Sequence, residues 1–282
     1  MSAQLQNAVT ARLLAGDYDL PALPVSTMRL LALATNPEVD FRELEKVVGL
    51  DPALAAHVLR VANSPGFSRR GEVGSLRAAI TRVGTHNLIR IALSLKVSES
   101  FAVPGLKCLA EASWRLARRS AVYAAAVARY VGGDPEMAFL CGLLHTIGQP
   151  VILGVVARVA AERRLTPPRL MTMELMERWY VSVGETIAAS WALPAPVQGV
   201  VAWHRKPLSA TEHRQEALIT CVASFLSTCE RLSPSVLPMI LGAHPAAQAL
   251  SLGPRALLDL LERDELSAQA EALGGHTQRR AA

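Results

Sequence analysis

Aspartate is absent from Pro135 to Leu258, and histidine is absent between His86 and His145. Hard divalent cations need several carboxylate and imidazole donors held together, so both gaps bear on metal chemistry. Cysteine is scarce as well. Cys108, Cys141, Cys221 and Cys229 form no CxxC pair, which excludes a zinc ribbon or a thioredoxin-like centre. Cys141 lies in an apolar run and reads as a reduced, buried thiol. Aromatic residues make up 5%, and no stretch alternates apolar and polar residues between hairpin turns, so no sheet is expected. There is no P-loop, no GxGxxG, no GxSxG elbow and no kinase motif. The first residues, MSAQLQNAVTARLL, lack the charged start and apolar stretch of a signal peptide, and the protein is expected to be cytoplasmic.

What is present points to helices. Hydrophobic residues make up 51% of the 282, charged residues 19%, and Ala and Leu dominate. Such side chains lose little entropy in a helix and can bury a sizeable core. The net charge of +5 is a mild basic excess that argues only weakly for nucleic acid. Met137 to Ala157 carries no formal charge, but His145, Gln149, Pro150 and several glycines interrupt it, and it reads as buried core rather than a membrane span. Helix starts recur: Asp40 with Glu43, Asp51-Pro52, Ser75, Thr85 and Asp134-Pro135. Apolar spacing predicts helices near 2–15, 25–35, 41–49, 52–62, 75–83, 86–100, 106–131, 136–147, 150–164, 168–179, 183–192, 195–204, 212–230, 235–242 and 254–272. The best internal boundary is Val103-Pro104-Gly105. Arg163–Arg169 reads as an exposed loop, and 274–282 as a frayed tail.

One constellation carries chemistry. Gly142-Leu-Leu-His145-Thr146-Ile-Gly148 resembles the G-L-L-H-D-I-G helix of the HD phosphohydrolase superfamily. Further motifs narrow the resemblance to its HDOD branch: Leu20-Pro-Ala-Leu-Pro24, Asp51-Pro-Ala-Leu54, Leu59 to Asn63-Ser64, Ala79-Ile80 with Val83-Gly84, and Trp191-Ala-Leu-Pro194 followed by His204. Order and spacing agree from about 20 to 207. The resemblance implies an all-α, two-lobed helical bundle from a bacterium, with regulatory rather than enzymatic roles. It divides the chain into an N-terminal helix (1–16), an HDOD domain (17–210, with a front lobe 17–103 and an HD-like lobe 104–210), and accessory helices with a tail (211–282).

The superfamily binds its metal through an upstream His, the His–Asp pair and a downstream Asp. Here the upstream position falls on Ala117 or a neighbouring Arg, Thr146 replaces the Asp of the pair, and the later Asp is missing. Only His145 remains, and one imidazole does not hold a catalytic dication, which asks for about three protein ligands. Tyr180 stands where many HDOD domains keep a further His. The vestigial pocket is therefore assigned to His145, Thr146, Tyr180, Glu185 and His204, with no cofactor and no catalytic residue. The main alternative is an atypical metal-dependent phosphohydrolase using His145, His204 and Glu185. Another is a nucleotide or nucleic-acid binder working through a basic face of Arg77, Arg82, Arg90 and Lys96. Arg69, Arg70, Arg77 and Arg82 are the candidate partner surface, Asn63 is a candidate ligand contact, and the four tryptophans are expected core anchors. The leading expectation is a non-enzymatic module acting on a signalling protein. The family's usual company implies a cyclic-dinucleotide or sensor-kinase pathway.

Overall fold

The computed structural model describes residues 2–20, 29, 32–33, 41–65, 67, 71–99, 102–229, 232 and 236–273, and among these no strand occurs. Of the predicted helix over 25–35 only residues 29, 32 and 33 are described, all three helical, and the cap at Asp40 and all but Leu20 of the Leu20–Pro24 motif lie outside the described residues. The helices are α1 (Ser2–Ala15), α2 (Phe41–Gly49), α3 (Pro52–Ala62), α4 (Leu76–Val83), α5 (Thr85–Glu99), α6 (Lys107–Val131), α7 (Pro135–Leu144), α8 (Gly148–Glu162), α9 (Arg169–Ser190), α10 (Ala195–Trp203), α11 (Arg214–Cys229), α12 (Leu237–Gly242), α13 (Pro245–Ala249), α14 (Pro254–Leu261) and α15 (Asp264–Ala272).

The caps read from sequence satisfy the free amides of helix starts. Asp51 Oδ1 accepts from Leu54 N at 3.1 Å, and Ser75 Oγ accepts from Ala78 N at 3.2 Å. Asp134 Oδ1 accepts from Glu136 N and Met137 N at 2.8 and 3.2 Å, with Pro135 in the first turn. Gly132 ends α6 in the left-handed region at φ 69, where its N–H reaches Ala128 O. Glycine takes that conformation without steric cost.

Two predicted boundaries change. Residues 168–179 and 183–192 form one helix, α9, because Gly184 continues the buried stripe Tyr180, Val183, Gly184, Ile187, Ala188 instead of breaking it. The single helix expected over 254–272 divides at Glu262–Arg263 into α14 and α15. The short helix α13 and a 3₁₀ turn at Pro207–Ser209 went unread.

Helices α2 to α5 pack on one another as a front lobe. The back lobe is built on the hairpin of α6 and α7. The α6 face toward it is lined by Ala117, Ala121, Ala124, Ala125 and Ala128, all essentially without exposure. Small side chains let the two backbones approach. α8 and α9 form a second hairpin, and α1 lies across both, with Arg12 bound through both guanidinium nitrogens to Glu162 at 3.0 and 2.7 Å. α11 packs on α6 and α7 through Leu218, Ile219, Val222, Ala223 and Leu226, so helices after 210 supply core. α15 closes on α6, where Arg118 donates to the carbonyls of Ala270 and Glu271.

The apolar stretch Pro135–Glu162 has the length and composition of a membrane span, but it is broken by a turn after Leu144 and is 89% buried within the fold. Trp114 is buried, and Trp179, Trp191 and Trp203 are half-buried against the core. The loop before α9 is mostly exposed, as its arginines and prolines suggest.

Candidate functional site

The sequence-singled helix end sits where the two hairpins meet, and its glycines explain the junction. A Cβ on Gly142 would lie 2.6 Å from Ser120 O and 2.7 Å from Ala121 Cα, so only glycine lets α7 cross α6 there. A Cβ on Gly148 would lie 2.1 Å from Tyr180 O, so α8 crosses α9 on the same terms. Gly184 faces this crossing, with Val201 Cγ1 3.0 Å from its would-be Cβ and Gly148 N at 3.6 Å. Antiparallel hairpin geometry, with Gly142 opposite Ser120–Ala121, sets Ala117 one turn on, level with His145 and Thr146. Of the positions to which the resemblance assigns the upstream ligand, Ala117 thus presents a methyl group here. The neighbouring Arg118 is turned to the carbonyl end of α15, and burial lowers its pKa to about 10.

His145 follows α7 and His204 follows α10, each at the C-terminal cap. Each ring turns back on its own helix. His145 Nδ1 lies 2.7 Å from Gly142 O, and His204 Nδ1 lies 2.9 and 3.2 Å from the carbonyls of Val200 and Val201. A carbonyl only accepts, so Nδ1 carries the proton in both rings and Nε2 carries a lone pair. Tyr180 O–H donates to His204 Nε2 at 2.8 Å. The two imidazoles meet edge to face, with centroids 5.1 Å apart and planes at 83°. His145 Nε2 and Thr146 Oγ1 are buried and make no hydrogen bond among the described residues.

The electrostatics follow from burial. Exposure is 1% at His145, 2% at Thr146, 5% at His204 and 6% at Tyr180. Loss of hydration drives the His145 pKa down to about 3, helped by the facing His204 ring and opposed by the Gly142 bond. Burial likewise takes His204 to about 4 against its bonds to Val200 and Val201. Burial raises the Tyr180 phenol and the Cys141 thiol well above their usual ranges. The centre is therefore uncharged at neutral pH.

Of the five residues assigned to the vestigial pocket, four come to this centre and one does not. Glu185 is exposed on α9, off the buried stripe, and so the set His145, His204, Glu185 does not assemble. Among the described residues no three His, Cys, Asp or Glu side chains are placed to hold a metal ion. The residues present do not fit the superfamily's dication: a methyl at 117, a neutral hydroxyl at 146 and two neutral imidazoles, one already bound to Tyr180, offer no anionic donor.

The residues of the candidate basic face make the following contacts. Arg77 is paired through Nε and Nη2 with Glu45 at 3.2 and 2.9 Å. Arg82 donates to Gly71 O at 2.7 Å. Arg90 is buried against Glu136. Arg69, Arg70 and the Lys96 side chain lie outside the described residues. Asn63, a candidate ligand contact, is spent on its own loop: its amide donates to Val73 O at 2.9 Å and accepts from Val73 N at 2.8 Å. The ion pairs Arg90–Glu136 and Arg205–Glu177, like Arg12–Glu162 and Arg77–Glu45, have no local sequence signal, because their partners lie far apart in the chain. The Tyr180–His204 bond was missed for the same reason.

Residues 20–207 match the model of the HDOD domain. A structure of an HDOD domain protein with unknown function from Geobacter sulfurreducens is similar over 95% of this chain and 98% of that one, with a TM-score of 0.74 at 20% identity. A structure named as a proposed phosphohydrolase from Shewanella amazonensis SB2B is similar over 95% and 97%, with a TM-score of 0.66 at 25% identity. An uncharacterized protein of Treponema pallidum (strain Nichols) is 26% identical over 214 residues, 73% of this chain, which spans only 41% of that relative's length.

Proposed function

The chain belongs to the HDOD domain family, its residues 20–207 matching the family's model, and from that premise we propose that it is a non-enzymatic regulatory module acting by protein–protein interaction. One observation carries the reading. The centre that matches the resemblance to the HD motif is a buried, neutral pair of imidazoles, and among the described residues no group of carboxylates or imidazoles is placed to hold a metal there. Metal catalysis needs about three protein ligands to hold the ion, and an open position for the water whose pKa the ion lowers. His145 and His204 instead spend their Nδ1 protons on helix carbonyls, and Tyr180 takes the lone pair of His204. The Tyr180–His204 bond ties α9 to α10, and the His145 ring packs edge to face on His204, so the two imidazoles serve a structural use at the meeting point of α7, α9 and α10. The partner class is a signalling protein of a cyclic-dinucleotide or sensor-kinase pathway, and the compartment is the cytoplasm.

The test uses the full chain. Purified protein is incubated with Mn²⁺, Fe²⁺ or Mg²⁺, desalted, and assayed for bound metal and for hydrolysis of bis(p-nitrophenyl) phosphate and of a cyclic dinucleotide. Substoichiometric metal and turnover equal to the His145→Ala variant are expected. Stoichiometric metal with turnover that His145→Ala abolishes overturns the reading. A partner captured by crosslinking should rebind when both components are pure, and should do so equally with His145→Ala.

A further inference from the structure

Among the described residues, the front and back lobes touch where α5 lies on α7, the helix that leads into His145. The chain between them turns at Val103–Leu106, with Gly105 at φ 79. At the α5–α7 contact stands a charge pair unlike the surface bridges elsewhere. Arg90 is 8% exposed. Its Nε and Nη2 reach both oxygens of Glu136, at 2.9 and 2.7 Å, and Nη2 also reaches Pro135 O at 3.3 Å. The guanidinium lies 4.8 Å over the Phe139 ring. His86 Nδ1 lies 3.9 Å from Glu136 Oε2. All three back-lobe groups sit in the first turns of α7, just beyond the cap made by Asp134.

We infer that Arg90 and Glu136 form a reversible clasp that sets the orientation of the two lobes, giving the molecule a closed state and an open one about the Val103–Leu106 turn. The physics favours an ion pair for this task. A bidentate guanidinium–carboxylate pair tolerates little rotation, so it specifies one lobe arrangement sharply. Its net contribution is small all the same. When the lobes part, both charges regain their hydration, which offsets most of the lost attraction. An apolar patch of equal area regains nothing in water and would lock the lobes shut. A partner that supplies a carboxylate to Arg90, or a cation to Glu136, therefore shifts the equilibrium at modest cost.

Hydrogen exchange on the full chain tests this. Arg90→Met and Glu136→Gln each should speed exchange of α5 and of the first turns of α7 about tenfold, the effect of losing roughly 1.4 kcal/mol. Exchange in α6 and α11 should not change, and small-angle scattering should show a larger radius of gyration. The swap Arg90→Glu with Glu136→Arg should restore much of the protection. Unchanged exchange in both single variants overturns the clasp. So does acceleration spread evenly over both lobes, which would make the pair a general stabiliser. Glu136→Gln keeps the side chain's shape and remains informative if Arg90→Met fails to fold.

Discussion

His145 and His204 each sit at a helix C-terminus, where carbonyl dipoles favour a cation. Both nevertheless stay neutral, because burial removes more hydration from an imidazolium than one or two carbonyls return. The sign of the pH dependence follows. Folded pKa values near 3 and 4 lie below the unfolded value of 6.5. Above pH 6.5 neither state binds protons at these rings. As pH falls from 6.5 toward 4, the unfolded chain takes up two protons that the native state refuses, and stability is lost across that window. From pH 7 to pH 5 the two histidines together should cost about 4 kcal/mol. Urea unfolding at the two pH values checks this: His145→Gln/His204→Gln should lose less stability over that step by nearly that amount. An equal loss in both proteins would mean that the rings protonate freely in the native state.

At the scale of helices, the same residue type does opposite things along α7, α8 and α9. Gly142, Gly148 and Gly184 mark crossings where a Cβ would press on backbone or on Val201. Gly154 lies in the interior of α8 with no described atom within 4 Å of its would-be Cβ. Gly142→Ala and Gly148→Ala should each destabilise by about 2 kcal/mol or more, since backbone cannot yield as a side chain can. Gly154→Ala should stabilise by about 0.5–1 kcal/mol through helix propensity. Denaturant midpoints of the three variants test the contrast. The glycines of the motif around His145 serve helix packing, a role that needs no metal ligand beside them.

For the whole molecule, the family match ends at 207, yet α11 closes the α6–α7 hairpin with five near-fully buried side chains. A chain cut after Ala210 should therefore expose that apolar face and fail to give a cooperative thermal transition, losing well over 5 kcal/mol of burial. Calorimetry of this truncation beside the full chain tests the core contribution of α11.

Legibility differed among these levels for physical reasons. The caps at Asp51, Ser75 and Asp134 act within three residues, so the sequence displays them directly. Glu185 could also have been placed correctly, because it lies one residue past Gly184 and off the Tyr180–Val183–Ile187 stripe. No such signal exists for Arg90 with Glu136, or for Tyr180 with His204. Those contacts depend on how far each helix is rotated about its axis when it packs, and spacing along one helix carries no information about its neighbour.

Composition and local pattern alone thus determined the helical class, most helix ends, the family resemblance and the loss of the carboxylate ligands, since each resides in residue identity or in contacts a few positions apart. Only the tertiary structure decided that two histidines lie ring to ring and neutral, that Glu185 faces water, that Arg77 pairs with Glu45 and Arg90 with Glu136, and that helices beyond 210 belong to the core. Each of these turns on burial and on long-range partners, which exist only after the helices have closed on one another.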